Sequence, residues 1–226
     1  MFGLNTGILS QKGLPPFNFN NALYFGGSTN GRVEFTKINC SGAFTVSLWW
    51  KKPNTNNRFI LGDKDITTSY IEIRGNNTIR TRSPLGIIDF TIPTYSVNTW
   101  YHLAITRDSS NNVLVYHNGT LATGTSTNSG TYSWSWVGNS SVITFNEMDG
   151  TMDDVAITNG YAASSTMINK LWNSGNGNDY VSVVPLCDVY FLFDESGSDT
   201  TAIDSSGNAN DGTLTNITLP GAWVSH

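Results

Sequence analysis

The chain has 226 residues, 38% of them hydrophobic and 12% aromatic, enough for a sizeable core and too apolar for a globally disordered polymer. Only 13% are charged, the net charge is −5 and the pI is about 5.0, which excludes a phosphate-backbone binder built on clustered Lys and Arg. No apolar run is long enough to cross a bilayer as a helix, and the first twenty residues lack a basic segment followed by an apolar one, so neither a membrane span nor a standard secretory signal is expected.

Residues 1–20 read as an N-terminal arm, and residues 21–226 as one domain. From there, period-two alternation dominates. In FTVSLWWK, Phe44, Val46, Leu48 and Trp50 share one face, and Thr45, Ser47 and Trp49 the other. Mid-strand Trp49 and Trp50 read as core. RFILGD, YIEIRGNNTIRTRS and IIDFTI read as short strands separated by Gly and Asn turns. In YHLAITRD, Tyr101, Leu103 and Ile105 oppose His102, Ala104 and Thr106, with Trp100 as a core anchor at the strand head. NVLVYHNGTLA is a strand, an Asn118-Gly119 turn and a second strand. Asn-Gly suits a type I′ turn because both central residues need positive φ.

One helix follows, capped by Ser164 or Ser165, with Met167, Ile168, Leu171 and Trp172 on one face and Gly175 able to end it. It is expected to plug an end of a sandwich. NSGNGNDY then looks like a linker. VSVVPLCDVYFLF reads as a strongly apolar strand with no further domain of useful size after it, so strands within 186–226 are expected to return to the core. Cys40 and Cys187 are far apart and read as two free thiols in preference to a disulfide.

The segments NALYFGGSTNGRVEF, FTVSLWWKKP, WYHLAITRDSSNNVLVYHNGTLA and FNEMDGTMDDVAITNGYAASSTMINKLW occur in an order that resembles the laminin-G-like, concanavalin-A-like jelly-roll family. The resemblance implies an all-β antiparallel jelly-roll sandwich with one short helix. It also implies a recognition module for glycans or proteins, in some members with structural calcium. One departure stands out: FDESGSDTTAIDSSGNANDGTL resembles the family's opening segment yet closes this chain, as in a circular permutation.

Three constellations are candidate sites. In EMDGTMDD, Glu147 and Asp149 resemble the start of the Glu-x-Asp-x-x-Glu strand of glycosidases on this fold. Met152 stands where the second catalytic Glu belongs, so no catalytic residues are expected. His102, His117 and His226 have no spacing that suggests nucleophilic catalysis and read as satisfied strand or surface residues. Asp153 alternates with Val155 and Ile157, which places a carboxylate at the core edge, where it needs donors or a cation. Hydrogen bonds satisfy it in one reading. In the other, Asp153 with Asp204, Asn208 and Asp211 holds a structural calcium, an ion that favours carboxylate and carbonyl oxygens. In TYSWSWVG, Tyr132, Trp134 and Trp136 form an aromatic strip that is either sandwich core or an outward sugar-stacking surface. The resemblance, which turns Val137 inward, favours the outward reading.

The expected function is non-catalytic recognition on a virion surface, as capsid decoration or tail appendage, with other virion proteins as partners and glycan binding as an added role. Homo-oligomers are compatible with it; nucleic acid and membrane are not expected partners. The alternatives are a secreted bacterial carbohydrate-binding adhesion module acting outside the cell and, less favoured, a glycoside hydrolase.

Overall fold

A computed structural model describes residues 20–26, 31–124, 126–139 and 148–226. Most of the expected N-terminal arm, and Glu147, lie outside the described residues. The strands in chain order are β1 (Asn21–Tyr24), β2 (Arg32–Cys40), β3 (Phe44–Lys51), β4 (Arg58–Gly62), β5 (Tyr70–Arg74), β6 (Thr78–Ser83), β7 (Gly86–Thr91), β8 (Tyr101–Arg107), β9 (Asn112–His117), β10 (Thr120–Leu121), β11 (Ser126–Thr127), β12 (Tyr132–Gly138), β13 (Thr151–Asn159), β14 (Val189–Phe191), β15 (Thr201–Ala202), β16 (Gly212–Thr215) and β17 (Trp223–Ser225). They form two antiparallel sheets packed face to face as a jelly-roll sandwich. The first runs β10-β9-β8-β3-β13-β1-β17, with β11 on β9 and β14 on β13. The second runs β15-β16-β2-β12-β4-β5-β6-β7.

The inward faces follow the alternation. Phe44, Val46, Leu48 and Trp50 of β3, with Leu103 and Ile105 of β8, meet Val33, Ile71, Ile73, Ile79 and Phe90 of the opposite sheet, and all are 0–1% exposed. Each such side chain contributes roughly 1.5–3 kcal/mol on burial. At the β9–β10 hairpin, Asn118 and Gly119 both have positive φ, 49° and 72°. A Cβ on Gly119 would also sit 2.5 Å from Asn169 Oδ1, so the turn needs glycine twice over.

Arg107 ends β8 wholly inside the sandwich. Its guanidinium donates to the backbone carbonyls of Gly42, Cys40, Asn128 and Gly130 and lies 5.2 Å over Phe44 and 5.4 Å over Tyr132. Four carbonyl dipoles and two ring faces replace the water this cation loses.

Helix α1 (Ser165–Trp172) is capped by Ser164, whose side chain accepts from Met167 N. Asn173, in the left-handed region at φ 46°, ends it, two residues before the expected Gly175. A 3-10 turn (Asn173–Gly175) lies in the stretch expected to be a linker, and a second short helix, α2 (Tyr180–Val183), begins at its last residue and takes the start of VSVVPLCDVYFLF, where a strand was expected and only Val189–Phe191 forms one. The helical segment does not plug an end of the sandwich. Ile168, Leu171, Tyr180 and Val184 instead cover the outer face of the first sheet, packing on Ala104, Tyr116, Ala156 and Tyr190. That face carries small or aromatic residues at these positions, which gives the helices a seat.

The last forty residues supply strands to both sheets. β14 extends the first sheet along β13, β15 and β16 extend the second along β2, and β17 closes the first along β1. Cys40 and Cys187 are both free thiols.

Candidate functional site

The aromatic strip of β12 is not a surface. Tyr132, Trp134 and Trp136 are each 0% exposed, which rules out the outward, sugar-stacking reading. The β12–β2 register shifts between Trp134 and Trp136, and such an irregularity moves following side chains to the other face. Val137 does point into the core, as the resemblance implied. Upstream of the shift, however, Tyr132 and Trp134 point inward too and pack on Phe44, at centroid distances of 5.1 and 6.1 Å. Trp136 lies outside the main core, in a separate buried cluster with Phe59 and Tyr70.

A second irregularity governs Asp153. The β13–β3 register shifts between Asp153 and Ala156, and Asp154 sits at φ 57°. Asp153 therefore faces outward beside Trp49, its register partner, and not inward with Val155 and Ile157 as alternation suggested. At this bulge one edge of β13 changes partner, from β1 at Met152 to β14 at Val155. The resulting seam gathers acids: Asp153 and Asp154 on β13, with Asp194 and Glu195 just after β14. Asp194 accepts from Asn21 N, which ties the seam to β1.

Asp153 Oδ2 lies 2.6 Å from Nδ1 of His226, and its Oδ1 accepts from Asp154 N. Burial, then the neighbouring Asp154, Asp194 and Glu195, raises Asp153 well above the usual carboxylate range. Burial, then Lys51, lowers His226 to about 4. Both shifts disfavour the ionised forms of the two partners. The ring of His226 stacks on Trp100 at 4.0 Å and 4°. Trp100, expected to be a core anchor, is thus half-buried at the rim, with Lys51 Nζ 4.6 Å from its ring centroid. Behind this contact, burial pushes Asp154 up to about 8, although the hydrogen bond it accepts from Tyr190 works to lower it.

The calcium reading of Asp153, Asp204, Asn208 and Asp211 does not fit. Asp204 accepts four hydrogen bonds, from Tyr190 N and Ser206 N on Oδ1 and from Ser206 Oγ and Asn210 N on Oδ2. Burial works to raise its pKa but is outweighed by the N–H groups of Asn210, Ser206 and Tyr190, so it stays an ionised carboxylate satisfied by donors. Asp211 accepts from Asp204 N, and Asn208 donates to the carbonyls of Cys187 and Asp188. These residues fold the 204–211 loop onto itself. Among the described residues no group of three or more His, Cys, Asp or Glu side chains is placed to hold a metal.

One of several accessible spaces on the described surface lies at the other end of the β1–β17 pair. Tyr24, 37% exposed, lines a cleft of ≈ 260 Å³ with Phe25, Gly26, Thr218, Pro220, Gly221 and Ala222. The Tyr24 hydroxyl donates to Asp149 Oδ1 at 3.4 Å. Asp149 Oδ2 accepts from Asn54 Nδ2 at 3.0 Å and lies 3.8 Å from the Arg58 guanidinium. Burial, then the Asp149 carboxylate, raises the Tyr24 phenol, which keeps it a neutral donor. The cleft thus offers the apolar ring face of Tyr24, whose hydroxyl leads out of the lining residues to the Asp149 carboxylate and, through it, to Asn54. Its volume lies just below the ~300–1,000 Å³ of drug-sized pockets, a size for one ring and not an extended chain. The described partners of Asp149 are a phenol, an amide and a guanidinium, and none is a carboxyl group that could serve as the second acid of a glycosidase. Tyr24 was missed in the sequence because its cleft wall comes from residues nearly two hundred positions away.

Two antiparallel sheets packed as a jelly-roll sandwich are the construction of the lectin-like fold. The chain belongs to the concanavalin A-like lectin/glucanases superfamily, whose laminin G family model matches residues 25–169. Among solved structures it resembles a candidate carbohydrate-binding protein from Bacteroides ovatus, at TM-score 0.68 and 17% identity over 93% of this chain and 62% of that one. It also resembles a heptameric SAP-like pentraxin from Limulus polyphemus, at 0.58 and 15% over 71% and 85%. A Trypanosoma rangeli sialidase matches at 0.51 and 16% over 69% and 28%. The chain thus spans less than two thirds of the Bacteroides protein. No curated protein sequence matches the chain.

Proposed function

We propose that this chain is a non-catalytic recognition module that takes one sugar ring in the Tyr24 cleft. The observation that carries the reading is the exposed Tyr24 ring beside an Asp149 carboxylate held by Asn54 and Arg58. Sugars present apolar C–H faces to aromatic rings and vicinal hydroxyls to carboxylates and amides; the cleft supplies the ring, and the Asp149 carboxylate bonded to the Tyr24 hydroxyl lies beside it. The carbohydrate-binding description attached to the Bacteroides protein of the same fold is in keeping with it. A glycan array followed by titration of the hits tests the reading. Tyr24→Ala and Asp149→Asn should each weaken binding at least about tenfold, the scale of one lost charge-assisted hydrogen bond or aromatic contact. Array hits untouched by both substitutions would refute it.

The setting we favour is the surface of a virus particle, as capsid decoration or tail appendage. The low charge and the Asn-, Thr- and Gly-rich sequence support it. Mass spectrometry of purified particles tests it, and a chain recovered only from bacterial cell surfaces would favour the adhesion alternative.

A further inference from the structure

The Tyr24 cleft and the acidic seam lie at opposite ends of one short ribbon. β17 pairs with β1 through Asn21–Ser225, Ala22–Val224 and Leu23–Trp223. Its other edge has no strand partner among the described residues. Just before β17, Pro220, Gly221 and Ala222 form a wall of the cleft, and Tyr24 N donates to Ala222 O at 2.7 Å. Just after β17, His226 reaches Asp153 at 2.6 Å and lies flat on Trp100. A three-residue edge strand is weak by itself, since short edges fray first. Further ties on this segment include the Trp223 Nε1 bond to Asp199 O, its ring contact with Phe193, the packing of Leu219, Ala222 and Trp223 on the core, and the contacts of His226 with Asp153 and Trp49.

We propose that residues 218–226 act as a strap whose latch is the His226–Asp153 contact, so that the state of the latch sets whether the cleft wall stands in place beside Tyr24. This gives the His226–Asp153–Trp100 group, buried at Asp153 and half-buried at its two rings, a role that recognition at the cleft does not itself require. The charged groups that face the latch are Asp154 on β13, Asp194 and Glu195 after β14, and Lys51 on β3. Three of the four are acidic. The strap's effect on ligand binding rests on the sugar-cleft reading above; its effect on the wall does not.

The test is amide hydrogen exchange on the full chain, read by NMR, for the parent and His226→Ala. Loss of the latch should speed exchange at Trp223–Ser225 and at Tyr24, whose amide reports the wall through Ala222 O, by about ten- to a hundredfold, the scale of one strong hydrogen bond. Exchange at Phe25, whose amide donates to Gly150 O, and in β3 should not change. A panel of neutral methyl pyranosides, titrated by 1H–15N shifts, should bind His226→Ala at least about fivefold more weakly than the parent. Unchanged exchange at β17, or faster β17 exchange with Tyr24 unmoved, overturns the proposal. So does equal pyranoside affinity in parent and variant. Absence of pyranoside binding in both chains overturns the sugar reading alone, and the Tyr24 amide still decides whether the latch holds the wall.

Discussion

Asp154→Asn isolates the buried carboxyl at the seam. Asp154 is 6% exposed, occupies the bulge at φ 57° and accepts from the Tyr190 hydroxyl. Asn keeps an acceptor oxygen for Tyr190, tolerates the left-handed region and never ionises. Burial raises the folded carboxyl to about 8, against an ordinary value of 3.8. A raised folded pKa means the native state holds a proton that the unfolded chain releases. The associated stability is therefore complete below about pH 4 and is lost as pH rises through about 8. Between those limits the parent should lose about 1.4 kcal/mol per pH unit relative to Asp154→Asn, and roughly 6 kcal/mol across the whole window. Other groups titrate in the same range. His226 and His117 are lowered to about 4 and His102 to about 3, so each costs stability as pH falls below 6.5. Lys52, lowered to about 7, costs stability as pH falls from 10.5 to 7. All four are common to both chains and cancel in the difference; Asp153, which Asp154 helps to raise, is the neighbour whose titration the substitution also alters. Urea unfolding of parent and variant at pH 4.5, 5.5, 6.5 and 7.5 gives that difference directly. A gap that does not change with pH would mean that Asp154 is already ionised in the folded protein, and the reasoning about the seam would fail.

Trp134→Ala should destabilise the fold by about 3–5 kcal/mol, as a large-to-small core change, in chemical denaturation. A sugar-stacking residue would instead leave the unfolding midpoint nearly untouched. Arg107→Met leaves four backbone carbonyls without their donor and should cost about 3–5 kcal/mol, or roughly 6–20 °C in a thermal melt. Added calcium or a chelator should leave the melting temperature unchanged, because donors already fill the Asp204 carboxylate; a rise of several degrees with calcium would overturn that account. Truncation before Val189 removes β14 to β17 from both sheets and should abolish the cooperative unfolding transition seen for the full chain.

The parts of the fold legible in the sequence are those with an undisturbed local period. The two faces of β3 and β8, the Asn118-Gly119 turn and the Ser164 cap all follow from rules that act over a few residues. The failures share one cause. Alternation propagates along a strand only while the register holds, and one irregularity reverses every later assignment. In β12 the shift between Trp134 and Trp136 allows both Trp134 and Val137 to face the core, so the inward Val137 carried no information about Trp134. In β13 the extra residue Asp154 sends Asp153 outward. An Asp-Asp pair in a strand is itself a faint signal, since Asp is among the few non-glycine residues that enter the left-handed region readily.

The candidate site was hidden for a different reason. Its members meet through the pairing of β1 with β17, and the His226–Asp153 contact spans 73 positions. No local pattern in NALY marks Tyr24 as exposed, because its surroundings depend on where the last strand lies. That strand, in turn, closes the first sheet next to the opening strand of the domain, and so brings the cleft wall and the His226 contact onto a single short ribbon. A change anywhere in residues 218–226 should therefore act on the cleft even though none of the aromatic or acidic groups beside Tyr24 is altered. Substitutions at Asn54 or Arg58, which hold Asp149 from the opposite side, should leave β17 undisturbed. The asymmetry follows from topology: β17 forms part of the cleft, whereas the 54–58 loop only supports one of its side chains.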